Sequence, residues 1–493
     1  MNFKIEGNYK KFSNHLHLKG KNMNFKKILK PYFFLPSVLI LLLLVVFIGW
    51  HIVPSKNLDV VVVDKSVSAG QSLQSVKQSD IVSGYRKHIG LFWLLNDIKY
   101  RNPLTGKPYD STKDYYGDFP SSDGTVENKD LERLSETPDI VYLSDTYGDA
   151  EGNANKGSGL SYYDMAAASS AHTNGATIIG ESDLTTGTDA SIIKEIQSTF
   201  GFAYSEWVGK YITDMKDMSQ VPSWATSLYE REYGYKWNMK GPGLLITSKK
   251  GEIVVLQQGV DFSGEPLSIE ITPKYQKKFG KLKVNYYNWF EIVSGNYGTN
   301  IVAQYRLNLN KTGQKKFDRI STQMVFPAIT EVTSFNAPAY YFAGDFNDCV
   351  GENKYTKFLF SSMFYRFFSI DREGDITNFY WKFYRPVMGT ILNDAYHNRA
   401  NVMRSAKNTK ATVKIQDNQF QILKDDKWHP LDIKGFNLSA VMPGSQAYDY
   451  TRDITTYSEF LSELKGVRMI CLHLNSIALF TNIIVPIPEK RFI

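Results

Sequence analysis

Four carboxylates, Asp64, Asp145, Glu181 and Asp345, stand at the carboxyl ends of short apolar runs that read VVVVD, IVYLSD, ATIIGE and AYYFAGD. In an open α/β sheet, ligands bind in the crevice beyond such strand ends. Carboxylates converging there can hold a hard cation such as Mg²⁺ or Ca²⁺ through oxygen. A pair of them can do acid/base work on a glycosidic bond when their surroundings split their pKa values. Glu181 and Asp145 are the candidate catalytic pair. Asp64 and Asp345 are candidate ligand-binding residues, with Trp207 as an aromatic partner for a sugar. Polar residues also end strands simply to cap the next turn, and that reading stands beside the first. No metal site is assigned and no cofactor is expected; a divalent cation at the strand-end carboxylates is the open alternative.

Other motifs carry less chemistry. Asp371, Glu373 and Asp375 alternate in DREGD, but the glycine comes too early for a calcium loop and no late glutamate follows, so a solvated turn is expected. Gly157-Ser158-Gly159 lacks the lysine of a phosphate-binding loop. No HExxH, GxSxG or CxxC occurs. The two cysteines, Cys349 and Cys471, cannot build a disulfide framework or a four-ligand zinc site, and Cys349 reads as a plain buried thiol. Aromatic residues reach 14% of the chain, clustered at Tyr286-Tyr287, Trp289-Phe290, Tyr340 to Phe342 and Phe379 to Tyr384. Sugar-binding clefts use such rings, and so does ordinary core packing.

The elements that must position these residues alternate. Strands are expected within 57–67, 138–145, 176–181 and 339–344, with helices over 88–99, 162–172 and 189–200, the last capped by Asp189. Such alternation argues for a parallel α/β sheet. Gly243 to Val260 reads as a hairpin around Lys249-Lys250-Gly251, and about 265–310 as an antiparallel β insertion. A loop is expected over 101–118 and another over 148–159. A helical stretch follows from Tyr355 to about Tyr396, and a new β pattern starts at Thr412. The expected fold is therefore α/β: an open, mostly parallel sheet domain over 57–400 with an antiparallel insertion, then a short β/α fragment over 411–493.

Charge is localised. Residues 1–31 hold eight lysines and one glutamate, a net +7 that equals the formal charge of the whole chain. Residues 32–493 are thus balanced, which leaves no basic face for nucleic acid. From Tyr32 to Val53 no Lys, Arg, Asp or Glu interrupts the chain, about the ~20 residues that cross a bilayer as a helix. Tyr32, Phe33 and Trp50 lie near its ends, where aromatic rings favour the headgroup layer, and the preceding lysines place the amino terminus inside. A cleaved signal peptide would carry a shorter apolar region of ~7–15 residues and a small-residue site; HIVPSKNLDV offers none. The expectation is a basic cytoplasmic leader over 1–31, a single transmembrane helix over 32–54, the bulk of the chain outside the cell membrane, and the lipid bilayer as a partner. Met469 to Pro488 is also apolar, but His473, Asn475, Asn482 and Pro486 make it a buried strand or a tail rather than a second span.

Two regions carry a resemblance. The alternation from residue 57 to about 345, ending in AGDF, resembles the class I glutamine amidotransferase-like fold. The turns that would hold that family's nucleophile offer Asp145-Thr146 and Glu181-Ser182, without cysteine, so the resemblance implies the fold and not the amidotransferase reaction. Phe420 to Leu464, FQILKDDKWHPLDIKGFNLSAVMPGSQAYDYTRDITTYSEFLSEL, resembles the approach to the (β/α)₈ barrel of glycoside hydrolases similar to family 2. That resemblance implies a hairpin over 420–431 with Lys427-Trp428 at its turn, a first barrel strand over 433–438 and a helix over 454–464. No position matches the family's catalytic glutamates, and a barrel takes at least ~200 residues, so a truncated or frame-shifted glycosidase-like chain is expected. Three functions follow: a carbohydrate-binding or accessory module in cell-surface polysaccharide metabolism, acting on a cell-surface glycan or with its synthesis machinery; a glycoside hydrolase-like enzyme; or a structural envelope interaction domain.

Overall fold

The structure, a computed structural model, describes the backbone of residues 25–66, 87–120, 126–131, 134, 137–146, 159–334, 337–347, 357–416, 419–424, 427–431, 469–473 and 482–486, and side chains only between 36 and 398. Cys349, most of the basic leader and of the 148–159 loop, and the barrel strand and helix implied over 433–438 and 454–464 lie outside the described residues. The chain divides into two units, residues 1–54 with 356–361, and residues 55–355 with 362–493.

In the first unit, helix α1 (Phe25–Ile52) runs for 28 residues. Its described side chains begin at Pro36, and Leu39, Ile40, Leu41, Leu42 and Val45 are each more than half exposed. Among the described residues, no helix is long and apolar enough to cross a membrane, so the spanning helix expected over 32–54 is not carried by the structure as described. Leu359 lies on α1, its amide donating to the Val46 carbonyl at 2.9 Å.

The second unit is built on a ten-stranded sheet. Its strands and those of its neighbours are, in chain order, β1 (Lys56–Asn57), β2 (Val60–Asp64), β3 (Tyr100–Arg101), β4 (Tyr116–Pro120), β5 (Val126–Lys129), β6 (Ile140–Asp145), β7 (Thr177–Gly180), β8 (Phe202–Ile212), β9 (Gly243–Ser248), β10 (Ile253–Gln257), β11 (Leu267–Ile271), β12 (Lys283–Asn285), β13 (Phe290–Gly295), β14 (Asn300–Leu307), β15 (Val325–Ser334) and β16 (Ala337–Phe342). The large sheet has the order β12-β11-β14-β15-β16-β7-β6-β2-β4-β5. Its centre, β16-β7-β6-β2-β4, is parallel throughout. Val60, Val62, Val63 and the whole of β6 and β7 are buried, which is why these runs are continuously apolar rather than alternating. Taken in chain order, the parallel strands lie 2-1-3-4-5, a doubly wound order whose switch point falls between β2 and β6.

Crossover helices follow the strands: α2 (Ile89–Asp97), α3 (Tyr162–Thr173) and α4 (Ala190–Phe200). Ser161 opens α3 with a capping box, its side chain accepting from the Asp164 amide while Asp164 reaches back to the Ser161 amide. Asp189 occupies the cap position of α4, but its side chain makes no capping bond. The stretch expected as a loop over 101–118 is anchored by Tyr109, whose hydroxyl donates to the Leu58 carbonyl and accepts from the Val60 amide, and β4 begins within it.

The antiparallel part is wider than the 265–310 expected from the alternation. Strands β11, β12, β14 and β15 extend the parallel sheet beyond β16, while β10-β9-β8-β13 form a separate antiparallel sheet. The alternating stretch KLKVNYYNWFEIV therefore divides: β12 joins the large sheet and β13 the small one, with Tyr286 and Tyr287 buried at the crossing. The expected hairpin of β9 and β10 is present, with Thr247 opposite Ile253.

Beyond α5 (Arg385–Thr409), the backbone forms a third sheet from β17 (Lys410–Gln416), β18 (Gln419–Lys424), β19 (Lys427–Leu431), β20 (Met469–His473) and β21 (Asn482–Pro486), in the order β19-β18-β17-β20-β21. Lys424 pairs with Lys427 and Leu423 with Trp428. Lys427 and Trp428 thus begin β19 instead of forming its turn. The apolar run after Met469 supplies β20 and β21, with β20 parallel to β17.

Candidate functional site

The switch point brings two of the strand-end carboxylates side by side, since Asp64 and Asp145 are register partners on β2 and β6. Their surroundings differ. Asp64 is buried and accepts from the Ser66 amide at 3.0 Å, the Ser66 hydroxyl at 2.5 Å and His88 Nδ1 at 2.6 Å. Burial pushes its carboxyl up, but the hydrogen bond and charge of His88 together with the two Ser66 bonds outweigh that and hold it below the usual carboxylate range. His88 is itself held by the Ser111 carbonyl at its Nε2. With these partners satisfied and 1% of its surface exposed, Asp64 fastens the β2 end to the start of α2. Its expected ligand contact gives way to a capping role.

Glu181 is also a brace. It follows β7, is 3% exposed, and its Oε1 accepts from the amides of Phe346 and Asn347, both at 2.8 Å. Burial and then the neighbouring Asp345 charge raise its pKa well above the ordinary value, against the pull of these amides. It ties the turn after β7 to the turn after β16. Trp207 lies in β8, opposite Ile292, 8% exposed within the main core. This placement makes it a core residue, while its expected contact with a ligand stays a proposal. Trp207→Ala is expected to lower unfolding stability by about 3–5 kcal/mol, read in urea. Loss of ligand binding with no loss of stability would contradict the core placement.

Asp145 and Asp345 do come together, with two acids outside the strand-end pattern. Asp183 feels, after its own burial, the charges of Asp145, Asp345 and Glu291 in that order, and its pKa is raised well above normal, with Lys87 pulling it down. Asp183 is part-exposed and holds a left-handed backbone, φ 68°, which for a non-glycine residue costs on the order of 1–3 kcal/mol and is characteristic of functional turns. The conformation is over-determined: its amide donates to Glu291 Oε1 at 3.2 Å, and its carbonyl accepts from the Thr146 hydroxyl at 3.1 Å. Glu291, buried in β13, is raised to about 7, first by burial and finally by Asp345, with the Tyr341 hydroxyl, the Asp183 amide and Lys249 acting against this. Asp345 is part-exposed and accepts from the Ser182 hydroxyl at 2.7 Å.

Aromatic and cationic groups border these acids. Strand β8 carries a bulge that sets Trp207 opposite Ile292 but Tyr204 opposite Val293, and Glu206 within it has φ 69°. Bulges re-aim side chains and recur beside binding sites. Here the bulge accompanies a part-exposed Tyr204 close enough to Glu291 and Asp183 for both to raise its pKa after burial. Lys249, from the β9–β10 turn, lies over the Tyr204 ring at 4.9 Å and donates to the Thr185 carbonyl. Trp289 is half-buried, its carbonyl accepting from the Asp345 amide.

Among the described residues, no group of three or more His, Cys, Asp or Glu side chains is arranged to hold a metal ion. The three DREGD carboxylates go separate ways: Asp371 accepts from Asn285, Glu373 from the Tyr211 hydroxyl, and Asp375 caps the helix that starts at Ile376. Most clustered aromatics, Tyr286, Phe290, Tyr340 to Phe342 and Phe379 to Tyr384 among them, are buried in the core. Sequence reasoning missed Asp183, Glu291, Tyr204 and Lys249. The available signal was Glu291, an acid inside the otherwise apolar run WFEIV; Asp183 had none, because its backbone conformation is not written in its neighbours.

No family model matches the chain, and no curated protein matches it. Among solved structures, it is similar to the crystal structure of Agd3, a novel carbohydrate deacetylase, at 12% identity and a TM-score of 0.24, covering 59% of this chain and 30% of that one. It is also similar to a putative ThuA-like protein from Parabacteroides merdae ATCC 43184, at 11% identity and a TM-score of 0.26, covering 58% and 79%. Likenesses this distant say nothing about what this chain acts on.

Proposed function

We propose that the chain is a membrane-anchored, extracytoplasmic glycan-binding module, whose site is the carboxyl cluster at the ends of β6, β7 and β16. The observation that carries the reading is that the charges of Asp145, Asp345 and Glu291 all act on Asp183, whose amide donates to Glu291 at 3.2 Å, with Asp183 and Asp345 part-exposed and Tyr204 near Asp183 and Glu291. Carboxyl groups serve sugar hydroxyls as paired acceptors and, when protonated, as donors. A ring alongside takes the apolar face of a pyranose. A cluster of this sign disfavours uronates and other acidic sugars, so the expected ligand is a neutral or amino-sugar polymer.

Anchoring rests on α1. Its leucine, valine and isoleucine side chains from Val38 to Val45, with Phe47 and Ile48, are exposed, more apolar surface than soluble proteins ordinarily leave open, and every lysine of the leader precedes them. The full-length chain is expected to stay in the membrane pellet after alkaline carbonate extraction; release into the supernatant would end the anchor reading. In lipid nanodiscs it is expected to bind neutral or amino-sugar polymers, and Asp183→Asn combined with Asp345→Asn to weaken that binding at least about tenfold, or ~1.4 kcal/mol, with no loss of thermal stability. Absence of binding to any such polymer, or binding indifferent to both substitutions, would refute the site.

A second reading, a glycoside hydrolase-like activity, is favoured by Glu291 alone. A carboxyl titrating at about 7 is suited to general-acid work at neutral pH. Release of reducing ends from the bound polymer, lost in Glu291→Gln, is its signature.

A further inference from the structure

We infer that the site extends along strands β8 and β13 to a second sugar subsite at Trp289 and Lys210, so that the chain binds consecutive residues of a polymer rather than one terminal sugar. This rests on the glycan reading of the carboxyl cluster and deepens it to the length of ligand taken. The register of the small sheet carries the inference. Residues opposite each other on an antiparallel ladder share a face, and the face alternates along each strand. Val208 stands opposite Glu291, and Tyr204 opposite Val293. The Gly209–Phe290 pair ends the ladder. Lys210 and Trp289 follow it on the two chains, the ammonium 5.0 Å from the centroid of the indole. Tyr204, Lys210, Trp289 and Glu291 therefore share one face. The other face, with Trp207, Phe290 and Ile292, lies in the main core.

Half of the first face is already covered. Leu245, opposite Lys210 on β9, joins Ile253, Val255 and Ala225 of the helix Ser223–Tyr233 in a small core of their own. On the half nearer β13, Tyr204, Val208, Lys210 and Trp289 are all half-buried. The link to the acids is direct. Phe290 bridges Gly344; one step further, the Asp345 amide donates to the Trp289 carbonyl at 3.2 Å, and Asn288 Nδ2 donates to the Asp345 carbonyl at 3.2 Å. The indole and the Asp345 carboxyl thus start from neighbouring positions. From Val293, opposite Tyr204, to Trp289 is roughly 14 Å at about 3.4 Å per residue, with Glu291 midway. That is longer than one pyranose ring, so a ligand reaching both aromatic rings passes the acids between them. A cation within ~6 Å of a ring is attracted to its face. Lys210 therefore holds the indole from one side, and the sugar takes the other.

The test titrates the full-length chain in lipid nanodiscs with the disaccharide and the hexasaccharide of glucosamine and of glucose, an amino-sugar and a neutral probe, by calorimetry. A hexasaccharide is expected to bind more tightly than its disaccharide. Trp289→Ala is expected to weaken the hexasaccharide at least about fivefold, or ~1 kcal/mol, and to leave the disaccharide at the parent's affinity. Trp289→Phe keeps a flat ring and is expected to keep most of the gain. Trp289→Leu fills the space without one and is expected to lose it, which separates the contact from a fold weakened by truncation. Asp183→Asn combined with Asp345→Asn is expected to weaken both lengths. Equal affinity for the two lengths, or a Trp289→Ala variant that loses neither or both alike, overturns the second subsite. If the two asparagine substitutions still weaken binding in that case, the carboxyl site stands. Binding of no probe, or binding indifferent to those substitutions, overturns the site and its extension together.

Discussion

Lys65→Met is expected to lower the unfolding free energy by about 3–5 kcal/mol, the range found when one partner of a buried ion pair is removed. The ammonium is 2% exposed and sits 2.6 Å from both Asp130 and Asp164. Desolvation alone would depress its pKa, but hydrogen bonds to Asp130 and Asp164, and then their charges, raise it above the usual lysine value. Methionine matches the stem and removes the charge, which leaves Asp164, fully buried, without its cation. Asp164 also accepts from the Leu131 amide and from Ser161 at the start of α3, so the loss reaches the capping box and the β5–β6 connection. Because the folded pKa is raised, this contribution is complete below the unfolded value near 10.4 and is lost as pH climbs through the folded one. Urea unfolding followed by tryptophan fluorescence measures the change. The double variant with Asp164→Asn is expected to recover part of it, since no buried charge is then left unpaired. A loss below about 1 kcal/mol for Lys65→Met would mean that the pair is open to water.

Glu291→Gln is expected to act in the opposite direction. The Glu291 carboxyl is raised to about 7 from an unfolded value near 4.3. An acid with a raised folded pKa binds its proton more tightly in the native state, so native stability falls as pH rises between the two values. At about 1.4 kcal/mol per unit, the fall amounts to roughly 3 kcal/mol between pH 4 and pH 8. Glutamine keeps the oxygen that accepts from the Asp183 amide, and the Tyr341 hydroxyl can turn to accept from the new amide group. The variant is therefore expected to be more stable than the parent at pH 8, equal to it near pH 4, and flatter between. Unfolding midpoints across that range decide the matter. A parent protein whose stability is level from pH 4 to pH 8 would show that Glu291 remains ionised through a compensating cation.

The two predictions concern residues that differ in how far they can be read from the chain. Lys65 follows a β-branched run and looks like any strand-end polar residue; that it is buried between two acids comes from Asp130 and Asp164, sixty-five and ninety-nine positions further on. The β2, β6, β7 and β16 runs were legible because strands buried on both faces are apolar at every position. The span 281–293 was not legible as two strands, since alternation is the same whichever sheet a strand joins. Nor was Asp189 without a capping bond, because position alone decides where a cap residue stands and not where its side chain turns.

What the sequence by itself determined is the material of the fold: which runs become strands and which become crossover helices, where the positive charge is collected, and that carboxylates stand where the parallel strands end. These follow from local rules of period, propensity and composition. Tertiary structure alone decided which of those carboxylates share a site. Asp64 and Glu181 were drawn into bracing bonds with His88, Phe346 and Asn347, and Trp207 was closed into the core. Asp183 and Glu291, 108 positions apart, were brought to Asp145 and Asp345. Burial and Coulomb energy depend on distance in space, and a doubly wound sheet sets those distances by strand order, which no local pattern in the chain contains.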